Sequence, residues 1–129
     1  LGMSILDVSA EGVVAKLPWR ADLVGDPEHG ILHGGAITTL LDSTCGYAIF
    51  AISEKLADIA TLDLRIDYLK PAKPKLDVLA RAEVYRTTRS IAFLRAQAYQ
   101  TEGEPIANAV ATFMLGANSS RLAARGIKT

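Results

Sequence analysis

Apolar and polar positions change period along this chain, and the changes mark its elements. Val13, Ala15 and Leu17 fall on every second position, which predicts a first strand within Ile5–Pro18. Residues 19–32 hold Gly25, Pro27 and Gly30 and read as a loop. From Gly34 to about Ser53 the spacing turns helical: Ile37, Leu40, Leu41, Thr44, Ala48 and Ile52 recur along one side. The period then returns to two. Leu62, Leu64, Ile66 and Tyr68 alternate with Asp63, Arg65 and Asp67, a strand that Pro71 ends. Three more strands are expected over about 76–88, 90–101 and 105–116, with Gly103 in the turn of the last hairpin. The polar, basic tail from Asn118 is expected to fray.

Consecutive strands joined by short turns pair antiparallel, so the pattern predicts an α+β architecture. One long helix lies against an antiparallel sheet of about five strands. The 129 residues fit a single domain over 1–129, and half of them are apolar, enough for a real core. Fourteen basic residues balance fourteen acidic ones, which argues against nucleic-acid or membrane-surface partners. The longest apolar run, Cys45–Ile52, is far short of the roughly 20 residues that cross a bilayer. No secretory signal is read at the N-terminus, and one cysteine cannot form an internal disulfide, so a reducing cytoplasm is expected. His29 and His33 stand four apart, but Gly30 and the loop context argue against a shared face. No metal site and no cofactor is expected. Cys45 reads as a packed core thiol. Tyr68, Phe93 and Phe113 are expected in the core or at an interface.

The helix has one odd feature. Between Glu28 and Glu54, Asp42 is the one residue reliably charged. A helix that is apolar or small almost all round is buried, and Asp42 sits two turns in, too deep to cap it. A carboxylate there has a buried partner or faces a cleft. A wet Asp on a thin stripe of Thr38, Thr39, Asp42 and Ser43 is the commoner case and, on the helix alone, slightly the better account. The segment His33-Gly34-Gly35 adds weight to the first reading. Two glycines opening a helix leave backbone N–H groups at its positive end, suited to an anion or a developing oxyanion.

His33-Gly34-Gly35 with Leu41-Asp42, nine residues from His to Asp, resembles the HGG…D signature of hotdog-fold thioesterases of the phenylacetate-pathway (PaaI-like) type. The segment Thr61–Ala72 resembles that family's next strand, which ends in Tyr-x-x-Pro-Ala, here Tyr68 to Ala72. The resemblance runs from about residue 5 to 116. It implies a hotdog fold, one central helix wrapped by a curved antiparallel sheet, and hydrolysis of acyl-CoA. By the same resemblance Asp42 is nucleophile or general base, Gly34 the oxyanion donor, and His33 a residue that shapes the turn. Thr61 holds the attacking water or the carboxylate, Gly35 belongs to the substrate-binding turn, and Arg89 and Ser90 contact CoA. Two departures stand out. Relatives carry Asn-Pro-x-Gly before HGG, where this chain has Asp26-Pro27-Glu28-His29-Gly30, so the Asn role is empty, moved or filled by His29. Thr88 replaces a Gly common before the Arg-Ser pair.

Gly34 and Asp42 are eight residues apart on one helix, about 12 Å along its axis. A reacting carbonyl lies about 3 Å from both its oxyanion donor and its nucleophile. If both act, they come from different subunits. The expected partners are therefore the acyl-CoA substrate and a second copy of the chain, a dimer at least and by resemblance a homotetramer. A thioester suits such a site because its thiol leaves without a strong general acid. Lys70, Lys73, Lys75, Arg86 and Arg89 are candidates for the CoA phosphates; solvated strand ends account for each singly. A hotdog dehydratase or isomerase, and a non-catalytic acyl-CoA binding module, are the competing functions.

Overall fold

The computed structural model describes residues 2–9, 11–52 and 58–116. The expected helix end at Ser53 and the tail from Asn118 lie outside them. Six strands form one antiparallel sheet: β1 (Ser4–Ser9), β2 (Gly12–Leu17), β5 (Ile59–Tyr68), β6 (Val78–Thr87), β7 (Ile91–Thr101) and β8 (Glu104–Leu115). Their order is β1-β2-β6-β7-β8-β5, so β1 and β5 are the edges. Among the described residues one long helix, α1 (Gly34–Ile52), packs across this sheet, chiefly on β6 and β2. The α+β fold expected from the periodicity is the one found.

The segment expected to hold one strand holds two. β1 folds back onto β2 through a turn at Glu11, whose N–H donates to the Ser9 hydroxyl at 3.2 Å. Gly12 makes the turn possible. Its φ is +152°, and a Cβ there would lie 2.7 Å from the Ala82 carbonyl oxygen of β6. Every residue of β1 is exposed, so that strand has no buried face for a period to report. The sheet therefore has six strands rather than about five.

The expected loop 19–32 contains a short ladder of β3 (Val24–Asp26) with β4 (Ile31–Leu32). The Trp19 indole N–H ties it down by donating to the Gly30 carbonyl at 3.0 Å.

The inner face of the sheet is rich in alanine: Ala80, Ala82, Ala92, Ala96, Ala98, Ala107, Ala109 and Ala111 are all buried. Small side chains let the helix lie close, and Leu40, Leu41, Cys45 and Ile49 fill the gap between layers. By length and mean hydropathy (1.3) α1 could cross a membrane, but half of it is buried on the sheet as a core helix. It is not buried all round, as its composition suggests. One sheet covers one side. The opposite stripe, with Thr38, Asp42, Ser43, Tyr47 and Phe50, stays partly open.

The strand predicted over 62–68 begins at Ile59 and carries a β-bulge between Thr61 and Asp63. Leu64, Ile66 and Tyr68 pair with the inward-facing Ala111, Ala109 and Ala107. Strict alternation would add Leu62 to that row, but the bulge leaves Leu62 exposed and pairs Thr61 with the buried Phe113 instead. Thr61 thereby turns toward the helix.

Candidate active site

The start of α1 is held by hydrogen bonds that, among the described residues, leave the Gly34 amide without an acceptor. His33 N–H donates to the Leu23 carbonyl at 2.7 Å, and the His33 carbonyl accepts from Ala36 N–H at 3.0 Å. The His33–Gly34 peptide is trans and planar. With its carbonyl turned into the helix, its N–H, that of Gly34, points out of the N-terminus. The next amide is taken: Gly35 N–H donates to His33 Nδ1 at 2.9 Å. Nδ1 is therefore an acceptor, and neutral His33 carries its proton on Nε2. The two glycines were expected to offer their N–H groups together; the structure leaves that of Gly34 and spends that of Gly35. Gly25 lets β3 approach this turn, since a Cβ there would lie 3.1 Å from His33 Cα.

Two turns further on, Asp42 is half-buried, and its Oδ1 accepts a hydrogen bond from the Thr61 hydroxyl at 2.8 Å. Its other oxygen makes no hydrogen bond among the described residues. A cavity of about 330 Å³ opens here, lined by Asp42, Thr61, Tyr47, Phe50 and Phe113. One carboxylate at the edge of an open hollow of mixed polar and aromatic lining, held by one hydroxyl, retains an oxygen for a water or a carbonyl carbon.

Cys45, one turn below, is fully buried, and burial with the nearby Asp42 charge pushes its thiol up to about 12. It stays protonated at neutral pH and is no nucleophile. Native protein at pH 8 is expected to resist a thiol-labelling reagent that reacts with one thiol per chain after unfolding. Rapid labelling of the native protein would contradict this burial.

The thioesterase superfamily profile matches residues 29–107, a span that holds both Gly34 and Asp42. The chain belongs to the thioesterase superfamily. The medium/long-chain acyl-CoA thioesterase YigI of Escherichia coli is 30% identical over 129 residues, covering 90% of this chain and 83% of that one. A relative from Halobacterium salinarum is 34% identical over 94 residues, 70% of this chain but only 61% of the length of that protein. A crystal structure from Pseudomonas aeruginosa superposes with a TM-score of 0.81 at 44% identity, covering 88% and 85% of the two chains. The hotdog fold and the thioester-hydrolase class expected from the HGG…D resemblance are borne out at the level of the family.

Within this thioesterase-superfamily chain the remaining expected residues fall into two places. Arg89 and Ser90 are exposed in the β6–β7 turn, which is closed by Thr88 N–H donating to the Ile91 carbonyl at 2.7 Å. Thr61, Phe113, Ala92 and Thr87 stand in register across four strands, so that turn lies at the Asp42 end of the sheet. Asp26 and His29 instead sit at the tip of the β3–β4 ladder and bind each other, His29 Nδ1 to Asp26 Oδ2 at 2.9 Å. That hydrogen bond holds the Asp26 carboxyl below its ordinary value.

The candidate phosphate-binding cations divide likewise. Lys70, Lys73 and Lys75 follow Tyr68 at the Gly34 end, with Lys70 near Glu104 (3.8 Å); Arg86 and Arg89 lie at the Asp42 end. They form no single cluster within one chain.

Two contacts at the site were not read from sequence. The Tyr68 hydroxyl donates to the Gly34 carbonyl at 3.0 Å and meets the Thr38 hydroxyl at 2.8 Å. Tyr68 was expected in the core or at an interface; within one chain it is half exposed on the edge strand β5, which leaves the interface alternative, and its place in the Tyr-x-x-Pro-Ala pattern was the available signal. Phe113 is a core residue as expected, whereas Phe93 lies on the outer face beside Tyr85, ring centroids 6.4 Å apart.

Proposed function

We propose that this protein is a cytoplasmic, single-domain acyl-CoA thioesterase that releases a free carboxylic acid and CoA. The observation that carries the reading is the Thr61–Asp42 hydrogen bond at the edge of the hollow lined by Tyr47, Phe50 and Phe113. It orients a half-buried carboxylate in a chain of the thioesterase superfamily. Asp42 either attacks the thioester carbonyl or takes a proton from the attacking water. The oxyanion is met by the outward amide of Gly34, with the helix dipole behind it. His33 shapes that turn through its Nδ1. Arg89 and Ser90 bind the CoA arm from the Asp42 end, and Gly35, Asp26 and His29 border the substrate from the other. Medium or long acyl chains are the first to test, since YigI is named for them.

The active unit is a dimer, assembled further into a tetramer. Gly34 and Asp42 lie on one straight helix about 12 Å apart, too far for one carbonyl. β5 offers the way to bring them together. It is a ten-residue edge strand, with Tyr68 beside Gly34 and Thr61 beside Asp42. Two copies paired antiparallel along this edge about a twofold axis set the Tyr68 end of each against the Thr61 end of the other. Each of two equivalent sites then holds one chain's Gly34 and the partner's Asp42, and the open stripe of α1 is covered.

A non-catalytic binding module is the second reading, favoured by one observation: Asp26, which stands where the resembled family carries an Asn, is an acceptor held by His29. CoA release measured across short, medium, long and aryl acyl-CoAs separates the two. Turnover of at least one class is expected. Binding of acyl-CoA without release from any of them would favour the module.

A further inference from the structure

We infer that Tyr68 is a positioning residue: its hydroxyl, reaching from β5 to the Gly34 carbonyl, sets the direction of the amide that meets the thioester oxygen. This rests on the hydrolytic reading above.

Two consecutive glycines have no Cβ to restrict them, so the first turn of α1 could rotate its peptide planes at little cost. The structure removes that freedom plane by plane. Ala36 N–H holds the His33–Gly34 peptide by its oxygen at 3.0 Å. The Gly34–Gly35 peptide is gripped at both ends: its oxygen accepts from Tyr68 at 3.0 Å, and its N–H donates to His33 Nδ1 at 2.9 Å. With both neighbouring planes held, Gly34 N–H keeps one direction.

The Tyr68 proton is committed to Gly34, so the Thr38 hydroxyl at 2.8 Å must donate to the phenol oxygen. The result is a chain, Thr38 to Tyr68 to the Gly34 carbonyl, in which each donor strengthens the next. Within one chain Tyr68 is half exposed, so nothing in that chain forces its hydroxyl to find two protein partners. Burial within the chain therefore does not explain the double contact.

β5 thus serves both the start and the middle of the helix. Thr61 orients the carboxylate and Tyr68 orients the amide, and a shift of this strand would move both. An oxyanion donor acts by being aimed before the charge develops, so loosening its aim lowers kcat and leaves substrate affinity alone.

The test is Tyr68→Phe, which keeps the ring and removes the hydroxyl, with Thr38→Val as a second variant that leaves the phenol bond and removes its donor. On the active dimer, Tyr68→Phe is expected to lower kcat about tenfold with KM within about twofold of wild type, a fraction of what losing the donor costs. Thr38→Val is expected to lower kcat about twofold to threefold, as the weakened chain implies. Amide NMR gives a readout that needs no turnover: the Gly34 resonance shifts, and Gly35 N–H exchanges about tenfold faster as its peptide loosens. Unchanged kcat, a change confined to KM, or unchanged Gly34 and Gly35 amides would each overturn the assignment. Should the wild type release no CoA from any substrate, the hydrolytic reading fails, and the amide measurements alone decide whether Tyr68 fixes this turn. Should Tyr68→Phe not fold, Thr38→Val carries both measurements.

Discussion

Asp42→Asn is expected to leave a folded protein that releases CoA at least about a hundredfold more slowly, the low end of what a positioned acid or base contributes. Asn keeps the shape of Asp and an oxygen that can still accept from Thr61, now 2.8 Å away. What it loses is the negative charge, so it can neither attack a carbonyl nor take a proton from water. The helix is untouched, and stability should move by less than about 1 kcal/mol, as for other substitutions away from a packed core. Steady-state CoA release with a chromogenic thiol reagent checks the rate, and the buried, protonated Cys45 keeps the background low. Normal turnover in this variant would remove Asp42 from the mechanism.

The second large effect concerns where the two halves of the site come from. Gly34→Pro deletes the outward N–H at the first position of α1, where proline fits a helix best. The nearest side-chain atom to a new Cβ is the Tyr68 hydroxyl, at an ordinary 3.7 Å. Activity is expected to fall about 10²- to 10³-fold, as when an oxyanion donor is removed elsewhere. Co-expressing Gly34→Pro with Asp42→Asn then tests the composite site. In a mixed dimer one site collects both lesions, and the other combines an intact Gly34 with an intact Asp42. Random pairing should restore about a quarter of wild-type activity from two inactive chains. If each site belonged to one chain, mixing would restore nothing, and the dimer argument would fall with it.

Much of the fold was legible because burial has a period. The spacing of Ile37, Leu40, Leu41 and Ile52 announces a helix with one packed side, and those residues are the buried ones. The β1–β2 hairpin was not legible, since β1 buries nothing and only the close approach of Gly12 to Ala82 betrays the turn. At the site, Asp42 drew notice as the lone reliable charge on its helix, and the HGG motif and Thr61 followed from resemblance. The role of Tyr68 did not, because an exposed tyrosine on a strand has many ordinary explanations.

The sequence by itself determined the long helix, the four strands that follow it, and that a carboxylate stands alone on that helix. These follow from the local period of apolar side chains, which a chain carries wherever it goes. Only the tertiary structure decided that Thr61 rather than Leu62 turns inward, because a bulge against β8 shifts the register by one residue. It alone showed that Gly35 spends its amide on His33 while Gly34 keeps its own free, and that Tyr68 holds the carbonyl of Gly34. Thr61 and Asp42 are 19 residues apart in sequence, and Tyr68 and Gly34 are 34 apart. No periodicity reports contacts at that range, since they arise only when β5 is laid beside the helix.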